Sequence, residues 1–331
     1  MNTAPTAAPT APLTDGALAE LRAVSRVFAL PGRRDAALPA VDGVDLAVRR
    51  GEVVGLVGES GCGKSTVARI MAGVLAPSTG TLRLGGRDLG SLTAAEARAA
   101  QLRVQMVFQN PHASLNPRFT VEEIVGEAVR FHRLVPRAAL ADHVAAQLLR
   151  VGLDPSLRHG HPHRFSGGQR QRIGIARALA VRPDVLVCDE PVTALDVSVR
   201  AGILNLFLDL RDQGELGILF ISHDLSVVGH VCDRVAVMYL GRVVEEAPVD
   251  ALFDAPRHPY TQALLADAST PSPPASGPER IRAGAPALSE RPSGCRFHPR
   301  CPAARPDCAV REPALRPVGP GHRVACLLAD H

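Results

Sequence analysis

Gly58-Glu59-Ser60-Gly61-Cys62-Gly63-Lys64-Ser65-Thr66 decides how this chain is read. The run Glu52-Val53-Val54-Gly55-Leu56-Val57 before it reads as a buried strand, and residues 67–75 after it place apolar side chains at helical spacing. The glycines therefore sit in a strand-to-helix turn. There the backbone can curl until several N–H groups converge on an anion, and the helix start adds its positive end. Lys64 is placed to reach the β- and γ-phosphates of a nucleotide, and the Ser65 hydroxyl to ligate Mg²⁺. An ordinary glycine-rich turn is the rival reading; it accounts for neither the spacing nor the flanks. Composition agrees, since Lys64 is the single lysine among 37 basic residues. A compact ammonium fits a phosphate loop where a broad guanidinium fork does not.

The chain of 331 residues is long enough for one large domain and a smaller one. Its net charge of +4 is spread over interspersed acids and bases, aromatic residues make up 3%, and tryptophan is absent. These numbers give no basic run and no base-stacking surface, so nucleic acid is not an expected partner. No apolar stretch approaches the roughly 20 residues that cross a bilayer. Residues 1–14 are rich in Ala, Pro and Thr without a basic start or an apolar core. Residues 1–17 are thus expected to be a disordered lead, not a signal peptide or anchor. A cytoplasmic protein is expected, with membrane attachment supplied by its partners.

Residues 18–30 alternate weakly, as an edge strand does, and run into a Pro31-Gly32 turn followed by exposed Arg33-Arg34. Residues 41–48 alternate well, and Thr81-Leu82-Arg83-Leu84 before Gly85-Gly86 reads as a strand entering a hairpin turn. A small antiparallel sheet beside the nucleotide-binding strand is implied. Residues 104–108 form a strand that stops at Gln109-Asn110-Pro111, and a helical pattern over 120–152 reads as an insert between core strands. The apolar runs Val185-Leu186-Val187-Cys188, Ile218-Leu219-Phe220-Ile221 and Val235-Ala236-Val237-Met238 are separated by helical segments. Such runs are expected of parallel strands covered on both faces. Residues 241–246 read as an outer strand and 258–265 as one more helix. The fold class is α/β. Beyond residue 252 the character changes: a Ser/Pro-rich linker spans 269–277, and the proline- and arginine-rich remainder reads as a separate small module.

Asp189 follows the buried run 185–188 at the C-terminal end of its strand, where ligands of α/β sheets gather. It is placed to hold Mg²⁺, directly or through water, and Glu190 to polarise a water against the γ-phosphate. A strand-end acidic pair that only makes caps is the alternative.

The run Ser166-Gly167-Gly168-Gln169-Arg170-Gln171-Arg172 resembles the signature of ABC-type ATPases. In the family's order, Gln109 resembles the Q-loop glutamine, Ala194-Leu195-Asp196 the D-loop, and His223 in Ile221-Ser222-His223-Asp224 the switch histidine. Phe28 falls where the family places an aromatic that stacks on adenine, with a core residue as the alternative. The resemblance implies an ABC ATPase domain over 18–252: a P-loop core with a mixed sheet, an antiparallel β subdomain and a helical insert at about 110–170. It implies ATP and Mg²⁺ bound by the loop from Gly58 to Thr66, with Ser65, Gln109 and Asp189 toward the metal and Glu190, His223 and Gln109 acting in hydrolysis. It also implies a head-to-tail dimer, in which Ser166, Gly167, Gly168, Gln169 and Asp196 of one chain complete the ATP site of the other.

A narrower likeness follows. Phe165 through Ile173, Glu190 through Val199, Arg257-His258-Pro259-Tyr260-Thr261 and Ser114-Leu115-Asn116-Pro117-Arg118 look like the ATP-binding subunits of dipeptide/oligopeptide importers. The glutamine after Ser-Gly-Gly is similar to their F-type subunit, and Thr193 stands where many relatives carry serine. This likeness implies a second, homologous ATPase subunit and two membrane-spanning permeases docked near residues 109–117. A solute-binding protein outside the cytoplasm would act through them, with this chain peripheral on the cytoplasmic face of the membrane. Dipeptides, longer peptides and nickel chelates remain open as solutes, and so does a homo- or heteromeric dimer. A non-transport ABC ATPase would usually carry two cassettes or a coiled-coil insert. A relic regulatory subunit would not retain Lys64, Asp189, Glu190 and His223 together.

Cys295, Cys301, Cys308 and Cys326 fall in the C-terminal module, expected at 288–331 after a helix and linker over 253–287; Cys62, Cys188 and Cys232 lie in the core. Clustered cysteines in a cytosolic chain favour a metal site over disulfides, and these lack the close pairs of a zinc ribbon. The importer family's tail implies a [4Fe–4S] cluster. Zinc, with His298 and His322 as further ligands, and unligated thiols are the alternatives.

Overall fold

A computed structural model of the chain describes residues 16–29, 37–109, 114–269 and 291–329. Residues 1–15 of the expected lead over 1–17, the Pro31-Gly32 turn with Arg33-Arg34, Asn110-Pro111 and all but the first residue of the 269–277 linker lie outside them, while Ala17, placed in that lead, opens the first strand. The chain begins with β1 (Ala17–Ala29), β2 (Ala37–Arg49), β3 (Val53–Val57), α1 (Lys64–Met71), β4 (Thr79–Leu84) and β5 (Arg87–Asp88). It continues through α2 (Ala94–Leu102), β6 (Val104–Val107), α3 (Val121–Phe131), α4 (Leu140–Arg150) and α5 (Gly167–Leu179). Next come β7 (Val185–Asp189), α6 (Val197–Asp212), β8 (Gly217–Ile221), α7 (Leu225–Val231), β9 (Arg234–Tyr239) and β10 (Arg242–Pro248). The described chain closes with α8 (Val249–Asp254), α9 (Pro259–Ser269), β11 (Arg316–Gly319) and β12 (His322–Val324).

The strands form a four-stranded antiparallel sheet, β2-β1-β4-β5, and an eight-stranded sheet, β11-β12-β10-β9-β3-β8-β7-β6, whose stretch from β9 to β6 is parallel. Alternation along the parallel strands divides the core into two layers. Val54, Leu56, Val185 and Val187 face one layer with α1 and the antiparallel sheet; Val53, Val57, Leu186 and Cys188 face the other with α3 to α6. Both faces are covered, which is why these runs are apolar end to end. Gly85 and Gly86, both at positive φ (54° and 78°), turn β4 into β5. The helical insert holds together by its own means: Thr120 and Glu123 close a reciprocal cap on α3, and Val125, Val129, Val144 and Leu148 pack it to the core.

Three expectations change. First, β1 is not an edge strand, since it lies between β2 and β4. Its weak alternation comes from register shifts along both pairings and from Ala23 at φ 45°, each of which resets which face a side chain takes. Second, β10 is not outermost, because β12 pairs with it through Glu245–Val324 and Glu246–Arg323. Third, the tail is not separate: its hairpin extends the main sheet, and Phe297 and Cys301 join the main core layer. Two carboxylates of β10 account for this docking. Glu245 is fully buried, accepts the backbone N–H of Arg257 (2.6 Å) and His258 (3.0 Å), and pairs with His322 at 2.7 Å. Glu246 pairs with Arg234 and with Arg323 of β12. Buried acids need such partners, and most of theirs come from outside the strand.

Candidate nucleotide site

The loop between β3 and α1 is shaped by its neighbours as much as by its own sequence. Gly58 and Gly63 have φ of 150° and 109°, and a Cβ there would come within 2.1 Å of the Met238 carbonyl oxygen and 2.4 Å of that of Ala40. Only glycine fits either position. Lys64 opens α1 and is buried; its ammonium donates to the carbonyls of Gly58 (2.7 Å) and Glu59 (2.9 Å). The cation is thus held beneath the loop by acceptors that phosphate oxygens can replace.

Ser65 Oγ donates to Asp189 Oδ1 at 3.2 Å, joining the helix start to the end of β7. Burial pushes the Asp189 carboxyl above its ordinary range and Glu190 adds to this, while the Ser65 hydrogen bond opposes it. An acid in that state gains from a cation beside it, and with the Ser65 hydroxyl it makes an oxygen-only donor set suited to Mg²⁺. Glu190 follows at φ 48°, its N–H bonded to the Ile221 carbonyl at 3.0 Å. A left-handed glutamate costs about 1–2 kcal/mol. Its carboxylate accepts from Gln109 Nε2 at 2.9 Å and faces His223 Nδ1 at 3.2 Å, so residues 81 and 33 positions away meet on one group.

The resulting cleft has a volume of about 550 Å³. Ser60, Gly61, Lys64, Thr66, Gln109, Glu190 and His223 line it, together with Ala40 and Thr193. Ala40 was not foreseen because it belongs to another sheet, and Thr193 stood only as a harmless variation. Other candidates lie elsewhere. Phe28 is half-buried on β1 with the Arg26 guanidinium 5.0 Å from its ring centre. Ser166 and Gln169 close a reciprocal cap at the start of α5, through bonds of 3.0 and 3.3 Å, and do not line this cleft; neither does Asp196 at the start of α6. Glu59 turns its side chain away from the cleft toward Arg300, and Tyr260 receives its N–H. Sequence reading missed both partners.

Residues 41–193 match the family model described as ABC transporter, and residues 244–308 the one described as oligopeptide/dipeptide transporter, C-terminal region. The oligopeptide transport ATP-binding protein AppF of Bacillus subtilis is 45% identical over 319 residues, covering 93% of this chain and 96% of its own. This chain belongs to the ABC transporter ATPases. OppF of Salmonella typhimurium, an oligopeptide transport ATP-binding protein, is 46% identical over 88% of this chain and 89% of its own. Among solved structures, the dimeric cassette MJ0796 in a post-hydrolysis state with ADP and Pi matches with TM-score 0.63 and 26% identity, over 70% of this chain and 98% of that one. The protein cbiO1 of Clostridium perfringens, part of the ABC transporter complex cbiONQ, matches with TM-score 0.64 and 26% identity, over 73% of this chain and 92% of that one.

Proposed function

We propose that this ATPase powers import of di- or oligopeptides by a membrane ABC transporter. One observation carries the catalytic part: Gln109 and His223 meet on the Glu190 carboxylate, beside Lys64 and the Ser65–Asp189 pair. Lys64 exchanges loop carbonyls for phosphate oxygens and neutralises charge growing between the β- and γ-phosphates. Ser65 and Asp189 would hold Mg²⁺, which when bound polarises those oxygens. Glu190 orients a water and takes its proton while the water oxygen bonds to the γ-phosphorus and the bond to the β-phosphate oxygen breaks. Gln109 and His223 keep that carboxylate aimed. Ser166, Gly167, Gly168, Gln169 and Asp196 stand outside the cleft, which suits their capping ATP held by a second, homologous ATPase subunit.

The cargo rests on the relatives, which are peptide transport proteins by name, and on the match over 244–308. A groove of about 530 Å³ next to the Gln109 strand, lined by Leu102, Met106 and exposed Val74 and Phe108, offers apolar surface to permease subunits. No helix among the described residues is long and apolar enough to cross a membrane. We place the chain on the cytoplasmic face, held there by two permeases that a solute-binding protein serves from the other side.

A [4Fe–4S] cluster on the tail is the remaining part of the reading. Burial raises the thiol of Cys295 to about 11 and raises those of Cys301 and Cys326, and each of the three also feels neighbouring tail cysteines. Among the described residues, no group of three or more His, Cys, Asp or Glu side chains is arranged to hold a metal ion, so the cluster rests on the likeness of the tail to the importer family. Two histidines offered for zinc are engaged elsewhere, His322 with Glu245 and His298 with the Cys295 carbonyl. The soft, all-thiol donor set suits the cluster. When bound, it would cross-link the tail at four points.

The test is Glu190→Gln in the assembled transporter. ATP binding is retained, while hydrolysis and peptide uptake fall at least about a hundredfold. Rapid turnover would remove Glu190 as the base, and uptake of nickel chelates without peptides would reassign the cargo. Anaerobic purification should give about four irons per chain; one zinc, or no metal, overturns the cluster.

A further inference from the structure

Glu59 sits inside the phosphate loop, yet its partners come from the far end of the chain. Its backbone N–H donates to Tyr260 Oη at 2.9 Å. Its carboxylate receives both ends of the Arg300 fork, at 2.9 and 2.8 Å, across 241 positions of sequence. Arg300 also donates to Tyr239 Oη at 3.2 Å and lies over the rings of Tyr239 and Phe297, 5.7 and 6.0 Å from their centres. Tyr239, Tyr260 and Phe297 are fully buried and mutually packed, with ring centres 4.6 to 5.4 Å apart. The fork therefore stands on a rigid base. A bidentate guanidinium–carboxylate pair on such a base fixes orientation as well as charge.

Glu59 matters to the cleft without lining it. Its carbonyl helps to hold Lys64, and the next residue, Ser60, is a wall of the cleft. An acid at this point, left alone, would repel a triphosphate and be free to turn the loop. We propose that Arg300 is a positioning residue for ATP binding: the tail neutralises and aims Glu59, and so sets the affinity of the phosphate loop. This rests on the nucleotide-site reading above, and the test separates the two.

ATP binding to the full-length chain is measured with a fluorescent ATP analogue and Mg²⁺. Binding by the wild-type chain establishes the site itself; failure there would defeat the site reading rather than this inference. Arg300→Met should raise the Kd five- to tenfold, most strongly at low salt, because an exposed anion is screened as salt rises. Adding Glu59→Gln to it should bring the Kd back within twofold of wild type, a rescue that mere loosening of the tail would not show. Arg291→Met, which removes a tail contact to Asp42 and the Pro39 carbonyl but none to the loop, should leave the Kd unchanged. If Arg300→Met does not fold, Arg300→Lys, which keeps the charge and loses the fork, should raise the Kd two- to threefold. An unchanged Kd in either Arg300 variant, no rescue by Glu59→Gln, or an equal rise in Arg291→Met would overturn the proposal.

Discussion

The two ends of this ATPase solve similar problems by different means. The phosphate loop presents consecutive residues whose backbone faces the anion, so its spacing is fixed along the chain even where distant carbonyls such as those of Met238 and Ala40 press on it. The tail is built from side chains that reach across the fold: Arg300 to Glu59, His322 to Glu245, Arg323 to Glu246 and Arg296 to Asp42. Local construction leaves a spacing that can be read. Long-range construction leaves only scattered arginines and glutamates. The difference also divides the labour, since the loop handles phosphate directly and the tail acts on the loop's posture.

The sharpest way to break this division is Lys64→Ala. Lys64 supplies the one cation in the loop and helps to hold the Gly58 and Glu59 carbonyls in place. Its loss should weaken ATP binding at least thirtyfold, well beyond the five- to tenfold expected on cutting the tail's fork. Equilibrium binding on both variants measures the gap. Equal losses would mean that the tail is as direct a part of the site as the loop.

How much could be read beforehand follows from the same difference. The strand–loop–helix of Gly58 through Thr66 and the strand-end pair Asp189 and Glu190 were legible because they keep a fixed local spacing, the alternation of buried strands and helices pointed to the parallel core, and Ser166 through Gln169 was picked out only by family likeness. Gln109 and His223 were picked out only through family likeness, and their meeting on Glu190 was not expected, since no local pattern links them. The tail's place in the main sheet was not legible. β10 carries Glu245 and Glu246, which look like the residues of an exposed strand until His322, Arg323 and Arg234 are found around them. The edge reading of β1 failed for another reason: bulges break the period-2 signal in a strand that is in fact interior.

A smaller effect tests whether the loop side is built for ligand rather than for stability. Burial raises the Asp189 carboxyl, so the folded chain binds its proton more readily than the unfolded chain does. The sign follows: ionised Asp189 is a cost above its folded value, and the cost fades as pH falls toward the unfolded carboxyl's value. At neutral pH, Asp189→Asn should therefore raise the melting temperature of the nucleotide-free chain by about 1–3 °C. It should also abolish the further rise that Mg²⁺ and ATP give to wild type. Thermal melts with and without nucleotide supply both readings. A variant that melts lower without ligand would make Asp189 a structural acid.

The last test lies on the tail side, in His258. It precedes α9, where its Nδ1 accepts the Tyr260 N–H at 3.0 Å, and it is buried to 1% exposure beside Phe297, with ring centres 5.8 Å apart. Burial pushes its imidazole down to about 4, against an opposing pull from the Ala325 backbone. In the unfolded chain the same group titrates near about 6.5. Between these values the unfolded state binds the proton and the folded state does not. His258 thus contributes stability fully above about 6.5, and this is lost as pH falls toward 4, by up to about 1.4 kcal/mol per pH unit. His258→Asn keeps an acceptor for the Tyr260 N–H and removes the titration. Urea midpoints at pH 7, 6 and 5 should fall less steeply in the variant, by about one proton's worth of slope. Parallel curves would show that acid does not act through His258 at this seam.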